Sequence, residues 1–419
     1  MSVLIAGGGI AGLSLGLTLH QIGVPFHIYE SAAELRPMGV GINLQPNAVR
    51  ELLDLGLEAE LDRIGIRTRQ LGFYSKLGKT IWEEPRGLDA GYAWPQYSVH
   101  RGALQMMLYH ALIARAGADC ITTGARAAGF EQTATGADLL LADGRRHSGT
   151  VVVAADGIHS ALRAQMYPEE GAPIWNGRIL WRATTTARPW KGGASMAMIG
   201  HDSTRMVAYP ISHPAADGLA TLNWIAEKSF DPSTPWKKED WNRAADINDF
   251  IGDFEDWKFD WIDVPALIRG AETVYEYPMV DRDPLPQWGF GAVTLMGDAA
   301  HPTYPVGSNG ASQAILDARV IGARFLSQGV TPSALAAYEA EVRPLATAIG
   351  QANRAGKGPD AVLQQVEDLC SGDFGTIEEV IPRAELAAHA ERYKSIAGFS
   401  IEALNARPAT IKAGARIPR

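Results

Sequence analysis

Val3 to Ala6 is a short apolar run, followed by a glycine cluster, an Ala/Leu-rich stretch to His20 and a second apolar run from Val24 to Tyr29. That order predicts strand, tight turn, helix and strand, the opening βαβ unit of a parallel sheet, because short unbroken apolar runs suit strands buried on both faces. Leu52, Leu53, Leu55 and Leu57 among acidic residues predict a helix within Asn47 to Ile64, with Pro46 and Asn47 at its start. From Gln70 to Tyr97 the pattern changes to short aromatic-containing runs broken by Gly and Pro, and Arg101 to Arg115 returns to helical spacing. Two apolar runs around Asp143-Gly144 predict a hairpin feeding a buried strand, Val151 to Ala154. Ile179 to Trp224 alternates large and small residues as a mixed or antiparallel sheet does, which marks a second domain. A polar loop with Trp236 and Trp241 follows, from Phe230 to Asp249. A further strand, AVTLMG, then leads through a Pro/Gly segment to a helix over Ala311 to Ser327, so the chain returns to its first domain. Ala334 to Asn353 and Ala361 to Leu369 are further helices, the first kinked or bounded by Pro344. Asn405 to Arg419 reads as a solvent-exposed tail.

The length of 419 residues predicts two or three domains with sizeable cores. Hydrophobic residues at 46% and charged residues at 20% exclude a disordered or fibrous chain. Its 44 glycines, about a tenth of the chain against an average of about 7%, stand among apolar residues and so shape backbone rather than form linkers. Two cysteines, Cys120 and Cys370, argue against cysteine-rich metal sites and favour a reducing compartment. The formal charge of −9 opposes nonspecific binding to nucleic acid or an anionic membrane. The first residues lack a basic leader region, and no stretch reaches the length of a membrane span. A cytoplasmic protein without a nucleic-acid partner or stable membrane attachment, monomeric or homodimeric, is the expectation.

Gly7, Gly9 and Gly12 form G-x-G-x-x-G between the first strand and helix, and Glu30 closes the second strand. Gly7 permits the tight turn, Gly9 lets backbone approach a pyrophosphate, and Gly12 lets helix and sheet pack closely, while the helix N-terminus offers aligned N–H donors. Glu30 then accepts from ribose hydroxyls. The overlapping GxSxG string, Gly12 to Gly16, has the notation of a hydrolase nucleophile elbow, but its Ser14 falls inside the helix rather than at the turn. Two later stretches repeat one design: VVVAADG ending at Asp156 and Gly157, and VTLMGD ending at Asp298, each with Asp and Gly just past an apolar strand. Parallel sheets bind ligands beyond such strand ends. Ser160 and Arg163 extend the first motif along a helix, and Gly307, Asn309 and Gly310 form a loop able to present amides after the second. Tight turns alone would also account for either.

The pieces GGGIAG at 7–12, GVGINLQPNAV at 39–49, YSVHRGALQ at 97–105, ADGIHSALR at 155–163, YPMVDRDPLPQW at 277–288 and GDAAHPTYPVGSNGASQAILDA at 297–318 span most of the chain in order. In this the chain resembles the class A flavoprotein aromatic hydroxylases, the family of salicylate and para-hydroxybenzoate hydroxylases, and within it the phenazine hydroxylases. The resemblance implies an α/β Rossmann-like FAD-binding fold with an inserted mixed or antiparallel-sheet substrate domain. Its FAD-binding parts would be 1–72, 98–178 and 289–370, its substrate parts 73–97 and 179–288, with a C-terminal helical segment and tail at 371–419. It further implies that Arg36, Gly41, Arg101 and Gln105 flank FAD and that Asp298, Pro305, Gly307, Asn309 and Gly310 line its flavin end. Asp156, Gly157 and Arg163 would belong to a motif linked to FAD and to use of reduced nicotinamide.

The activity implied is monooxygenation: NAD(P)H, binding transiently, reduces FAD, and O2 then forms a flavin C4a-hydroperoxide that passes one oxygen to an aromatic or N-heteroaromatic acid. Decarboxylation accompanies it where the attacked carbon bears the carboxylate. No second Rossmann fingerprint distinguishes NADH from NADPH, and no metal-ligating motif occurs among the ten histidines, so no metal is expected. Pocket candidates are Trp181, Arg182, Arg205, Tyr209, Trp224, Tyr277 and Tyr304, with Tyr209, His301 and Pro305 nearest the chemistry. Tyr209 either polarises a ring hydroxyl or packs the sheet; Arg182 or Arg205 pairs with a substrate carboxylate or with a protein acid. Two other functions remain open on sequence: a flavin-dependent dehydrogenase or oxidase without oxygen insertion, and a non-enzymatic FAD-binding module.

Overall fold

The computed structural model describes residues 2–231, 233 and 244–417; Trp236 and Trp241 lie outside the described residues. Strands Val3–Ala6, Phe26–Tyr29, Ile121–Thr122, Val151–Ala154 and Val293–Leu295 form a parallel sheet, extended at one edge by the antiparallel Gly289–Phe290. VLIA and VVVA are buried at every position, as expected for strands covered on both faces. The register pairs Ala6 with Ala154 and Ala154 with Leu295, so the three central strands end level with one another. The helices Ile10–Ile22 and Gly310–Gln328 pack together against this sheet.

The 47–64 segment is two helices, Pro46–Asp54 and Glu58–Ile64, because Gly56 between them adopts a left-handed conformation at φ +70°. Pro344 neither starts nor ends its helix, which runs from Pro332 to Arg354. The hairpin at Asp143-Gly144 forms as expected, between Gly136–Leu141 and Arg146–Gly149. The C-terminal segment is largely exposed, as expected, but it is anchored to the first domain. Thr410 Oγ1 donates to Glu51 Oε1 at 2.6 Å, Ile411 is buried and the Ile417 N–H donates to Ile22 O.

The second sheet has seven strands in the order Tyr275–Asp281, Ile174–Ala187, Ala220–Ser229, Thr204–Pro210, Ser195–Gly200, Gln70–Tyr74 and Thr80–Pro85. Both faces are buried, so side-chain alternation separates two cores. One contains Trp181, Trp224, Phe250 and Phe254, and the other contains Leu71, Met196, Tyr209, Tyr304 and Leu363. The second of these, the inner face, meets the first domain and the C-terminal helices. Among the described residues, no helix is long and apolar enough to cross a membrane.

Candidate active site

Because three parallel strands end level, the glycine loop, the Asp156-Gly157 turn and the Gly297-Asp298 turn lie side by side at one sheet edge. Gly7 sits at φ +106°, and a Cβ there would come within 2.4 Å of Ala155 O. At Gly12 a Cβ would lie 2.0 Å from Gly7 O. At Gly9 it would meet no protein atom within 4 Å, and the same holds at Gly157 and Gly310. Gly7 and Gly12 therefore close the turn on itself, whereas Gly9, Gly157 and Gly310 face open space. Glu30 braces the loop, its Oε2 accepting from the Gly8 N–H and its Oε1 from the Ala32 N–H, both at 2.6 Å. Gln105 ties the loop from the other side by donating from Nε2 to Gly8 O at 2.9 Å.

The later motifs add further polar groups that lack partners of their own. Asp156 Oδ2 caps the Ala161–Met166 helix by accepting from the Ala161 N–H at 3.0 Å, while its buried Oδ1 has no partner. Burial raises the Asp156 carboxyl, partly offset by Ser160 and backbone N–H groups. Asp298 is encased by protein at a distance, which raises its carboxyl against the pull of His301 and Arg101, yet its side chain remains accessible. A residue on the floor of an open cleft has both properties. Asn309 Oδ1 is likewise buried and unpartnered, while its Nδ2 donates to Tyr393 Oη at 2.6 Å. An accessible glycine surface at a helix N-terminus, flanked by Glu30, Asp298 and free acceptors, fits a dinucleotide with a pyrophosphate centre.

Tyr209 stands where the inner sheet face meets the first domain. Arg182, Asn223 and Asn43 surround its hydroxyl; burial pushes the phenol up, the three neighbours pull it back, and it comes to about 12. Arg182 donates from Nη2 to Gly41 O at 2.9 Å, and the Gly41 N–H donates to Asn223 Oδ1 at 2.7 Å, so this strand is stitched to the sheet on both sides of one peptide. A Cβ on Gly41 would strike Asn223 at 2.6 Å. Arg182 lies beside the Tyr277 ring, 5.9 Å from its centroid, and its Nε has no partner. Tyr304 closes this core from the following loop, which Asn353 Nδ2 holds through Thr303 Oγ1, Tyr304 O and Val306 O. Pro305 in the same loop is exposed.

Several expected site residues are placed elsewhere. Trp181 and Trp224 lie on the outer sheet face, where Trp181 stacks on Phe250 at 4.4 Å and the two indole N–H groups donate to Glu276 and Thr185. Their strand positions are one residue out of phase with Tyr209, and in a pleated sheet that puts them on the opposite side. Arg205 is on the inner face, where three acids, Asp360, Asp202 and Glu227, already surround its charge and oppose a further carboxylate, although its Nε makes no hydrogen bond. Arg163 is buried and spends its guanidinium on Glu170 and the carbonyls of Ala299, Ala300 and Asp283, bracing the Gly297-Asp298 turn instead of meeting a cofactor. His301 Nε2 lies 2.7 Å from Asp317 Oδ2, which also accepts from the Gly297 N–H at 2.8 Å. Burial opposes charge on this imidazole, but Asp317 and Asp298 more than offset it and raise its pKa. Its role here is to hold the turn. Arg36 is exposed and paired with Glu34, whereas exposed Arg101 packs beside Gly39.

Asn43, Asn223, Asp317 and Asn353 carry much of this arrangement and were not singled out from sequence. Asn43 lay inside the GVGINLQPNAV string and Asp317 inside the last motif, but Asn223 and Asn353 sit in stretches with no chemical signature.

A family model described as FAD binding domain matches residues 1–353. The chain is 43% identical over 405 residues to the phenazine 1,6-dicarboxylic acid hydroxylase of Lysobacter antibioticus, covering 94% of this chain and 96% of that one. It is 31% identical to the aurachin C monooxygenase/isomerase of Stigmatella aurantiaca, over 81% of this chain and 84% of that one. Among solved structures, Klebsiella pneumoniae HpxO in complex with FAD and uric acid superposes with a TM-score of 0.72 at 22% identity, covering 96% of each chain.

Proposed function

Since the chain belongs to the FAD binding domain family, as a FAD-dependent aromatic monooxygenase, we propose that it hydroxylates a fused N-heteroaromatic carboxylic acid with electrons from NADH or NADPH. The balanced reaction is ArH + O2 + NAD(P)H + H⁺ → ArOH + H2O + NAD(P)⁺. Bound FAD supplies the redox chemistry, relaying two electrons from the nicotinamide and activating O2 for insertion of one oxygen atom.

The chain's own residues bind, orient and exclude water. The Gly7–Gly12 loop and the helix behind it take the pyrophosphate, Glu30 the ribose hydroxyls, and Asp298 with the backbone of residues 307–310 the flavin end. Tyr209 donates a hydrogen bond to a ring substituent and is itself oriented by Arg182 and Asn223. The buried inner face keeps the reacting region dry, which protects a reactive oxygen species from water. The observation that carries the reading is the convergence of three strand-end motifs at one sheet edge, together with the tie of the Gly41–Leu44 strand to the Tyr209 neighbours Arg182 and Asn223 through both polar atoms of the Gly41 backbone. The 43% identical relative, named for a phenazine dicarboxylic acid, supports the substrate class.

The test is a panel of benzoic and N-heteroaromatic acids, including phenazine-1-carboxylate, assayed for stimulated NADH and NADPH oxidation under 18O2. Incorporation of one labelled oxygen into a phenazine or related heteroaromatic acid is expected. Oxidised product without label would identify a dehydrogenase, and FAD binding with no stimulated NAD(P)H consumption by any acid would sink the substrate class.

A further inference from the structure

The inner face of the seven-stranded sheet carries one cross-strand row that runs away from the Tyr209 junction. Tyr209 pairs with Asn223, and on its other side Ala208 pairs with Ala197, which brings Met196 next to Tyr209. Met196 pairs with Leu71, and Leu71 pairs with Glu84. Paired residues point to the same face, so the order along the row is Asn223, Tyr209, Met196, Leu71, Glu84: polar, polar, apolar, apolar, charged. Tyr209 to Glu84 is three strand spacings, about 14 Å at roughly 4.8 Å each. A single benzoate ring is too short to touch both ends, whereas a fused ring system with a carboxylate is not.

A cavity lies over the far half of this row. Leu71, Met196 and Met198 form its apolar wall, and Gly307 and Ser308 of the flavin-end loop border it. Its other wall is charged. Glu84 accepts from Arg86 and is ion-paired with Lys394 Nζ at 3.2 Å, so two cations share one buried carboxylate. Lys394 also approaches Glu391 at 3.7 Å, but that acid is half-exposed at the rim, where water screens it. Arg86 is 8% exposed and its buried Nε has no partner; Gln96, which also lines the cavity, is 2% exposed with an unpartnered Oε1. Buried cations in excess of buried acids, with an orphaned donor, call for an anion. Arg86 comes from the end of the Thr80–Pro85 strand and Lys394 from the Arg383–Ile396 helix, so neither belongs to a motif of the dinucleotide site.

The geometry points to Arg86 and Lys394 as the carboxylate-recognition site for the substrate, seating the acid at the Glu84 end of the row and the opposite ring edge at Tyr209. This rests on the reading of the chain as a hydroxylase of fused heteroaromatic acids. Met196 and Leu71 carry the intervening rings, and selectivity for an acid over its neutral amide arises at Lys394 and Arg86 through charge-assisted hydrogen bonds.

Phenazine-1-carboxylate and phenazine-1-carboxamide are titrated against the FAD-loaded enzyme, with binding read from the flavin absorbance and turnover from product formed. Wild type is expected to favour the acid, Lys394→Met to lose at least tenfold of that acid-to-amide selectivity, and Lys394→Arg to regain most of it. Lys394→Met leaves the Glu84–Arg86 pair intact, and bound FAD together with the unfolding midpoint reports whether the variant folds. A Lys394→Met enzyme that folds, binds FAD and keeps wild-type selectivity overturns the site, as would acid-to-amide parity in wild type; hydroxylation of the acid would leave the proposed function standing. Wild type that binds and turns over neither phenazine overturns the site, whereas the substrate class falls only if no acid of the wider panel stimulates NAD(P)H consumption. Carboxylate seated on Arg182 instead predicts unchanged selectivity in Lys394→Met and counts against the site.

Discussion

At the scale of single residues, the glycines of the first loop do different work despite sharing a motif. Gly12 has no room for a methyl group, whereas a methyl group on Gly9 would meet no protein atom within 4 Å, in the space where the proposed function seats the pyrophosphate. Gly12→Ala is expected to lower the stability of the apoprotein by about 1–3 kcal/mol through overpacking. Gly9→Ala is expected to leave the apoprotein's unfolding midpoint within error and to weaken FAD binding at least tenfold. Thermal unfolding without FAD, beside a FAD titration, separates the two. Tyr209 makes a different prediction. Its phenol, pushed up to about 12, stays protonated through any working pH, so in the proposed substrate contact it would serve as a donor, not a base. Tyr209→Phe is expected to keep FAD content while lowering product formed per NAD(P)H by about tenfold, the worth of one hydrogen bond at the upper end of its range; no alkaline limb below pH 11 should vanish with it.

Between residues and the molecule stand the turns that end each strand. The Gly297-Asp298 turn is held from below by Asp317, which joins the Gly297 N–H to His301, and from the side by Arg163. Because His301 has a raised pKa in the fold, its pairing with Asp317 contributes fully below the unfolded value near 6.5 and is lost as pH rises through the folded value. Asp317→Asn is expected to cost about 3 kcal/mol at pH 6 and less at pH 9, flattening the pH dependence of stability. Urea denaturation across that range reads both. A variant with unchanged slope would show that another group sets the alkaline decline. The same element shows how far local pattern reaches: VTLMGD announced a strand and turn, but nothing in it said that the histidine four residues past Gly297 would face inward to Asp317.

For the whole molecule, the C-terminal segment closes the structure at two places. The Arg383–Ile396 helix covers the inner face of the second sheet, and residues 408–417 return to the first domain through Thr410 and Ile411. Ending the chain at Arg407 is expected to cost about 3 kcal/mol, from burying one isoleucine less and losing a hydrogen bond to the Glu51 carboxylate. The urea midpoint should fall while the acid-to-amide selectivity assigned to Lys394 stays. What was legible in the sequence was whatever backbone chemistry fixes locally: the glycine turn, the acidic strand ends, the apolar runs of the parallel sheet and their order. The pairing of Arg205 with Asp360 was not, because 155 residues separate two groups that any nearer acid or base would have satisfied equally well.

The amino-acid sequence by itself determined that a dinucleotide would be held at the carboxyl ends of parallel strands, since Gly7, Gly9 and Gly12 act through steric limits that hold in any fold. Tertiary structure alone decided which side chains of the second sheet face the first domain. The second sheet is buried on both faces, so alternation along Ile174–Ala187 marks two sides without saying which one meets the cofactor. Packing against the first domain and the C-terminal helix made that choice, turning Trp181 and Trp224 away and leaving Tyr209, Met196 and Leu71 in one row that ends at Glu84, Arg86 and Lys394.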